Sequence, residues 1–173
     1  MKHIPSRPDF LDKWNLGNLP SSGHRKPVTV RSVSYLAYGP NRTDHDQEII
    51  SIYNPTFGGR GKVRCDKGVV SLVKVLNSCG ILTIRSCQGE TRESRKPNAG
   101  YIVVRVKDPV KIWDAARIVA DFWEDRYVTM LLHPENLGEI IFQAAWRKKD
   151  LHDIFYLLPT KRFQDLLRKR SRK

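Results

Sequence analysis

The stretch Asp66-Lys-Gly-Val69-Val-Ser-Leu72-Val73-Lys-Val-Leu76-Asn77-Ser-Cys79-Gly80-Ile81-Leu-Thr-Ile84-Arg85-Ser86-Cys87-Gln88-Gly89 decides the fold. In its first half Val69, Leu72, Val73 and Leu76 recur at the spacing of one helical face, behind Asp66, a residue type that caps helix N-termini. Gly80 supplies a left-handed stop. Ile81 to Ile84 then reads as a short strand, which opens into Ser86-Cys87-Gln88-Gly89. A polar loop at a strand end is where a fold displays chemistry.

Working outward, Glu90 to Gly100 is a basic, breaker-rich run expected to form an exposed loop, and Tyr101 to Lys107 returns as a second strand. Asp108-Pro109 is a cap and first-turn pair opening a helix that ends near Asp125. In it Ile112, Ala115, Ala116, Val119 and Trp123 oppose Asp114, Arg117, Asp121 and Glu124. Trp113 and Trp123 are both expected in the core. Tyr127 to Leu132 and Glu139 to Ala145 form a hairpin across His133 to Gly138. The order helix, strand, strand thus occurs twice, without a residue-level repeat. The predicted fold is α+β: a mainly antiparallel sheet with two helices packed on one face.

Upstream, Val28 to Tyr38 and Glu48 to Tyr53 alternate as strands. Gly58-Gly59-Arg60-Gly61-Lys62 lacks P-loop spacing and reads as a flexible basic turn. Three regions follow: an irregular, proline-punctuated arm at 1–27, a single α+β domain at 28–158, and a basic C-terminal helix or tail at 159–173. Leu151, Ile154, Phe155 and Leu158 fit a further helix within the domain.

The chain has 173 residues, enough to bury a core without staples. Three cysteines in no paired spacing, no apolar run of transmembrane length and no secretory signal predict a cytoplasmic protein that avoids membranes. The charge is +13, from 31 basic and 18 acidic side chains, and favours polyanionic partners. It is uneven: residues 85–107 carry six basic and two acidic groups and residues 159–173 seven and one, whereas 108–158 carry six and nine. The leading expectation is therefore nucleic-acid binding, to RNA or single strands, since no helix-turn-helix, zinc-finger or RNP signature supports duplex readout. An enzyme that modifies RNA or nucleotides through Ser86 to Gly89 is the second. A small basic inhibitor or assembly factor on an acidic protein surface is the third.

Phosphate-binding residues are expected at Arg85, Ser86, Gly89, Arg92, Arg95 and Lys96 in and after the loop, and at Arg168, Lys169 and Arg170 in the tail. Successive backbone amides of Ser86 to Gly89 can form an anion-binding concavity. Gly89 equally reads as serving the turn alone, with Cys87 a small buried hydrophobe; for catalysis Cys87 is the candidate nucleophile, Gln88 its neighbouring amide and His133, at another strand end, the histidine nominated as base. His45 between Asp44 and Asp46 could hold a divalent ion but equally reads as part of a turn, and no metal ligand is assigned. Tyr35, Tyr38, Tyr53 and Tyr101 offer rings for stacking or for packing.

Leu72 to Asn77 followed by Thr83-Ile-Arg-Ser86-Cys87-Gln-Gly89 resembles the motif of the wybutosine-tRNA methyltransferase family, in which a helix ending in Leu/Ile-Asn leads to Thr-x-Ser-Ser-Cys-Ser-Gly-Arg. It is also similar to Ser-Cys-Gln-Gly segments of uncharacterised bacterial and phage proteins. About twenty residues are covered. Arg85, Gln88 and Glu90 stand where that family has serine, serine and arginine, and its later Trp and His signature is not recognisable. The resemblance thus implies a phosphate- or RNA-facing role for Ser86, Cys87 and Gly89. It assigns no cofactor: S-adenosylmethionine and methyl transfer are not carried over.

Overall fold

The computed structural model describes residues 28–32, 45–54, 58–92, 99–133 and 136–151. Among these residues seven strands and two α-helices follow in the order β1 (Thr29–Ser32), β2 (Gln47–Asn54), β3 (Gly59–Asp66), α1 (Val70–Ser78), β4 (Leu82–Cys87), β5 (Gly100–Arg105), α2 (Val110–Phe122), β6 (Tyr127–His133) and β7 (Asn136–Ala145). Short 3-10 turns at Lys67–Val69 and Lys148–Asp150 precede α1 and follow β7. The irregular arm, Tyr35, Tyr38, Asp44, Arg95, Lys96, the 151–158 helix beyond Leu151, and the tail with Arg168, Lys169 and Arg170 lie outside the described residues.

Five strands form one sheet in the order β1-β6-β7-β5-β4, and β2 with β3 forms a separate hairpin. The β4-β5, β5-β7 and β6-β7 pairs are antiparallel, whereas β1 runs parallel to β6, so the sheet is mixed at one edge. The twofold helix-strand-strand order is present as α1-β4-β5 and α2-β6-β7. Both helices pack on one face. Leu72, Val73 and Leu76 of α1 and Ala115, Val119 and Phe122 of α2 join Ile102, Val104, Ile140 and Phe142 in one apolar cluster, as alternation along the strands requires.

Local chemistry explains the end of α1 and the start of α2. At the end of α1 the Ile81 N–H donates to Leu76 O (2.9 Å) and the Gly80 N–H to Asn77 O (3.0 Å), with Gly80 at φ 74°, the reciprocal closure that glycine permits. Asp108 Oδ1 accepts the Val110 N–H (3.0 Å) at the start of α2.

Four expectations are corrected. Asp66 makes no cap bond: the 3-10 turn intervenes and its carboxylate is used elsewhere. Gly58 to Lys62 is a turn only at Gly58, because Gly59–Asp66 pairs along its full length with β2 and the glycines are carried by the ladder. Trp113 is 63% exposed, since it sits one position beyond Ile112 on the outer side of the helix, while Trp123 is buried. Asp121, placed on the polar side, is buried.

The hairpin has two unlike faces. Ile50, Ile52 and Cys65 point into the shared core. Ile49, Ser51 and Tyr53 of β2, paired with Arg64, Lys62 and Arg60 of β3, are all exposed on the opposite face. Asn77 fastens this ribbon to α1: its Oδ1 accepts the Tyr53 N–H and its Nδ2 donates to Tyr53 O, both at 2.9 Å. Among the described residues, no helix is long and apolar enough to cross a membrane.

Candidate functional site

Three chain segments meet where the open end of the hairpin touches the end of β4. Lys67 N–H donates to Asp46 O (2.9 Å), which closes the hairpin and brings His45 alongside Asp66. Cys87, the last residue of β4, is paired with Tyr101 on β5 and arrives from the other side. His45, Asp66, Cys87 and Gln88 are all at least nine-tenths buried.

The centre of the group is one imidazole nitrogen. His45 Nδ1 lies 3.1 Å from Asp66 Oδ2 and 3.9 Å from Cys87 Sγ. These three atoms all lie within 4.8 Å of one another. His45 Nε2 is buried and has no hydrogen-bond partner among the described residues, and Glu90 Oε1 stands 3.9 Å from it. Two further donors orient Asp66: Gln47 Nε2 donates to Oδ1 at 3.1 Å and the Gln88 backbone N–H to Oδ2 at 3.2 Å. The carboxylate of Asp66 thus takes one of the amides that were expected to cradle an external anion.

The loop after Cys87 is held from four sides. Gln88 Oε1 accepts the Gly68 N–H at 2.8 Å, and Gln88 O accepts Arg126 Nη1 at 3.2 Å. Trp146 Nε1 donates to Glu90 O at 3.1 Å. The Arg126 guanidinium is stacked on Trp146 at 4.3 Å and faces Trp123 at 5.7 Å from the ring centres. Burial pushes Arg126 down to about 10 from its ordinary 12.5, opposed by Asp125. Gly89 adopts φ 72°, and Gly100 lies so near that a Cβ there would sit 2.8 Å from Gln88 O. The loop thus forms one wall of the site, tied to the 3-10 turn, Arg126 and Trp146.

The predicted site residues separate into groups. Cys87 lies in the cluster. Gln88 is beside it, but its side-chain oxygen is turned to Gly68, so it positions the loop. Arg85 is half-buried on β4, Ser86 partly buried with Oγ 3.8 Å from Cys65 Sγ, Gly89 buried and Arg92 exposed. His133 is not near Cys87. Through Tyr101 and Gln143, Cys87 is level with Thr129 of β6, four residues from His133 or roughly 13 Å along the strand, and β6 lies three strands away, roughly 14 Å across the sheet. The neighbouring histidine is His45, and the carboxylate that faces it is Asp66, with Asp46 exposed.

Cys65 is equally buried, on β3. Burial pushes its thiol up to about 11, against the lowering effect of the Ser86 hydroxyl, which keeps it a protonated core residue. Tyr101 is buried and its phenol is likewise pushed up to about 12, first by burial and then by the neighbouring Cys87. It serves packing. Tyr53, at 54% exposure, presents its ring to solvent.

Comparison with protein-family models, with curated proteins and with solved structures finds no match to this chain.

Proposed function

We propose that this protein binds nucleic acid, RNA or a single strand, and that the outer face of the β2-β3 hairpin is the binding surface. The observation that carries the reading is the row Arg60, Lys62 and Arg64, all exposed on one face of β3 and directly paired with Tyr53, Ser51 and Ile49. Alternate residues of a strand stand about 7 Å apart, so three cations form a line that an extended phosphate backbone can follow. Tyr53 at the head of the row offers an aromatic face for a base, the combination that sequence-tolerant single-strand binders use. Arg92, which follows the Cys87 loop in the chain, is exposed as well.

A duplex binder would present a helix or ribbon to a groove with base-reading side chains. A flat row of cations with one stacking ring suits an unpaired strand better. The convergence of Cys87, His45 and Asp66 favours a second reading, in which the bound strand or nucleotide is also modified there.

The test is binding of the nuclease-treated protein to labelled single-stranded RNA, single-stranded DNA and duplex DNA. Preference for the single strands, with affinity falling steeply in salt, supports the proposal. No binding at low salt overturns it, and nuclease-resistant capture of an acidic protein would put the third class of partner in its place.

A further inference from the structure

We infer that His45 Nδ1, Asp66 Oδ2 and Cys87 Sγ form a binding site for a divalent metal ion, of which zinc fits the donors best. The inference begins with a conflict at one atom. A single ring nitrogen faces both a carboxylate oxygen at 3.1 Å and a sulfur at 3.9 Å. To bond the carboxylate, Nδ1 must carry a proton; to act as base toward the Cys87 thiol it must not. The same geometry therefore serves a cysteine–histidine nucleophile poorly. A cation placed between the three atoms resolves the conflict, because nitrogen lone pair, carboxylate and thiolate can all coordinate it.

The other ring nitrogen supplies an independent observation. With Nδ1 on a metal, the imidazole proton is fixed on Nε2. That atom is buried and, among the described residues, lacks a hydrogen bond, yet it faces Glu90 Oε1 at 3.9 Å. Metal-bound histidines commonly donate their second N–H to a carboxylate that fixes the tautomer. Glu90 stands in that position, and Gln47 Nε2 and the Gln88 N–H hold the Asp66 carboxylate in place from outside.

Distances and donor types agree. Zinc bonds of about 2.0–2.3 Å arranged tetrahedrally separate neighbouring donors by roughly 3.3–3.6 Å. The three atoms lie within 4.8 Å of one another, so small side-chain adjustments suffice. A thiolate with an imidazole selects zinc over magnesium or calcium. Three protein ligands leave a fourth position for water or a substrate atom, the arrangement of reactive rather than purely structural zinc. On binding, the S–H bond of Cys87 breaks and its proton goes to solvent, while the imidazole proton moves from Nδ1 to Nε2. Metal uptake therefore releases protons. This site does not depend on nucleic-acid binding, and its test uses no nucleic acid.

The full-length protein, stripped with a chelator and kept reduced, is titrated with cobalt(II) as a spectroscopic probe and then with zinc(II). One equivalent of cobalt should produce a sulfur-to-metal charge-transfer band and tetrahedral visible bands, both removed by zinc. Cys87→Ser and His45→Ala should lose the bands, while Cys65→Ser and Cys79→Ser keep them. As a check that needs no variant, zinc should slow alkylation of Cys87 in the wild-type protein at least tenfold, mapped by peptide mass spectrometry, and leave Cys79 unchanged. Absence of stoichiometric cobalt uptake, or bands that survive in folded Cys87→Ser, would overturn the site. So would Cys87 alkylation indifferent to zinc.

Discussion

Gln88 Oε1 accepts the backbone N–H of Gly68 at 2.8 Å, twenty residues earlier, and this bond joins the turn before α1 to the loop after β4. Gly68 is required for the approach: a Cβ there would lie 2.5 Å from Oε1 and 3.0 Å from the Gln88 Cβ. Gly68→Ala should therefore destabilise the fold by about 1–3 kcal/mol through overpacking. Gln88→Ala should cost a similar amount, about 1–3 kcal/mol, because a buried N–H loses its acceptor. Since both changes break one contact, the double variant should cost less than their sum, as urea unfolding of the four proteins can measure. Strict additivity would show that the two residues are not coupled.

The Asn77 clamp predicts a separable effect on the hairpin. Asn77→Ala removes both bonds to Tyr53 and should lower stability by about 1–2 kcal/mol, with faster hydrogen exchange concentrated in β2 and β3. Affinity for a single strand should fall although no charge has been removed. Uniform exchange across the sheet would contradict a local clamp.

Arg126 should behave as a structural cation. Its guanidinium is buried between two indoles and supports Gln88 O, so Arg126→Ala should destabilise the protein by about 2–4 kcal/mol. Arg126→Lys keeps the charge without the planar stack and should recover only part of the loss in a thermal melt. Full recovery by lysine would mean that charge alone suffices.

A pH effect follows from Glu139. Burial raises its carboxyl above the ordinary value of 4.5. The folded state then holds this proton more tightly than the unfolded state. Its stabilising contribution is complete below about pH 4.5 and is lost as pH rises through the higher folded value. Glu139→Gln should therefore gain stability relative to wild type between pH 4 and pH 7, measured as the shift in urea midpoint at each pH. A difference that does not change with pH would refute the assignment.

The sequence made the two helix-strand-strand units legible because both depend on local signals. Gly80 ends α1 with a left-handed residue, Asp108 caps α2, and the apolar faces of both helices carry the 3.6-residue period. Strand β3 was hidden because Gly58-Gly59-Arg60-Gly61 has the composition of a turn, and only pairing with β2 makes it a strand. The site was half legible. Cys87 stood out at a strand end, but its neighbours His45 and Asp66 are 42 and 21 positions away, and no spacing rule links them. Asp66 looked like a helix cap because an aspartate before an apolar helix has the same local pattern whether it serves the helix or a distant histidine. His133 was nominated for its strand end alone, and strand order then placed it at the far side of the sheet.

The salt dependence of single-stranded RNA binding, compared between wild type and Arg60→Gln/Lys62→Gln/Arg64→Gln, measures how many phosphate contacts the hairpin face makes. All three side chains are exposed, so the variant should fold normally. For single strands each phosphate contact contributes about 0.7 to the slope of log K against log salt, so losing three should flatten it by about 2. Weaker binding with that flatter slope is the predicted result. A folded triple variant that binds with unchanged affinity and slope would contradict the hairpin face as the nucleic-acid surface.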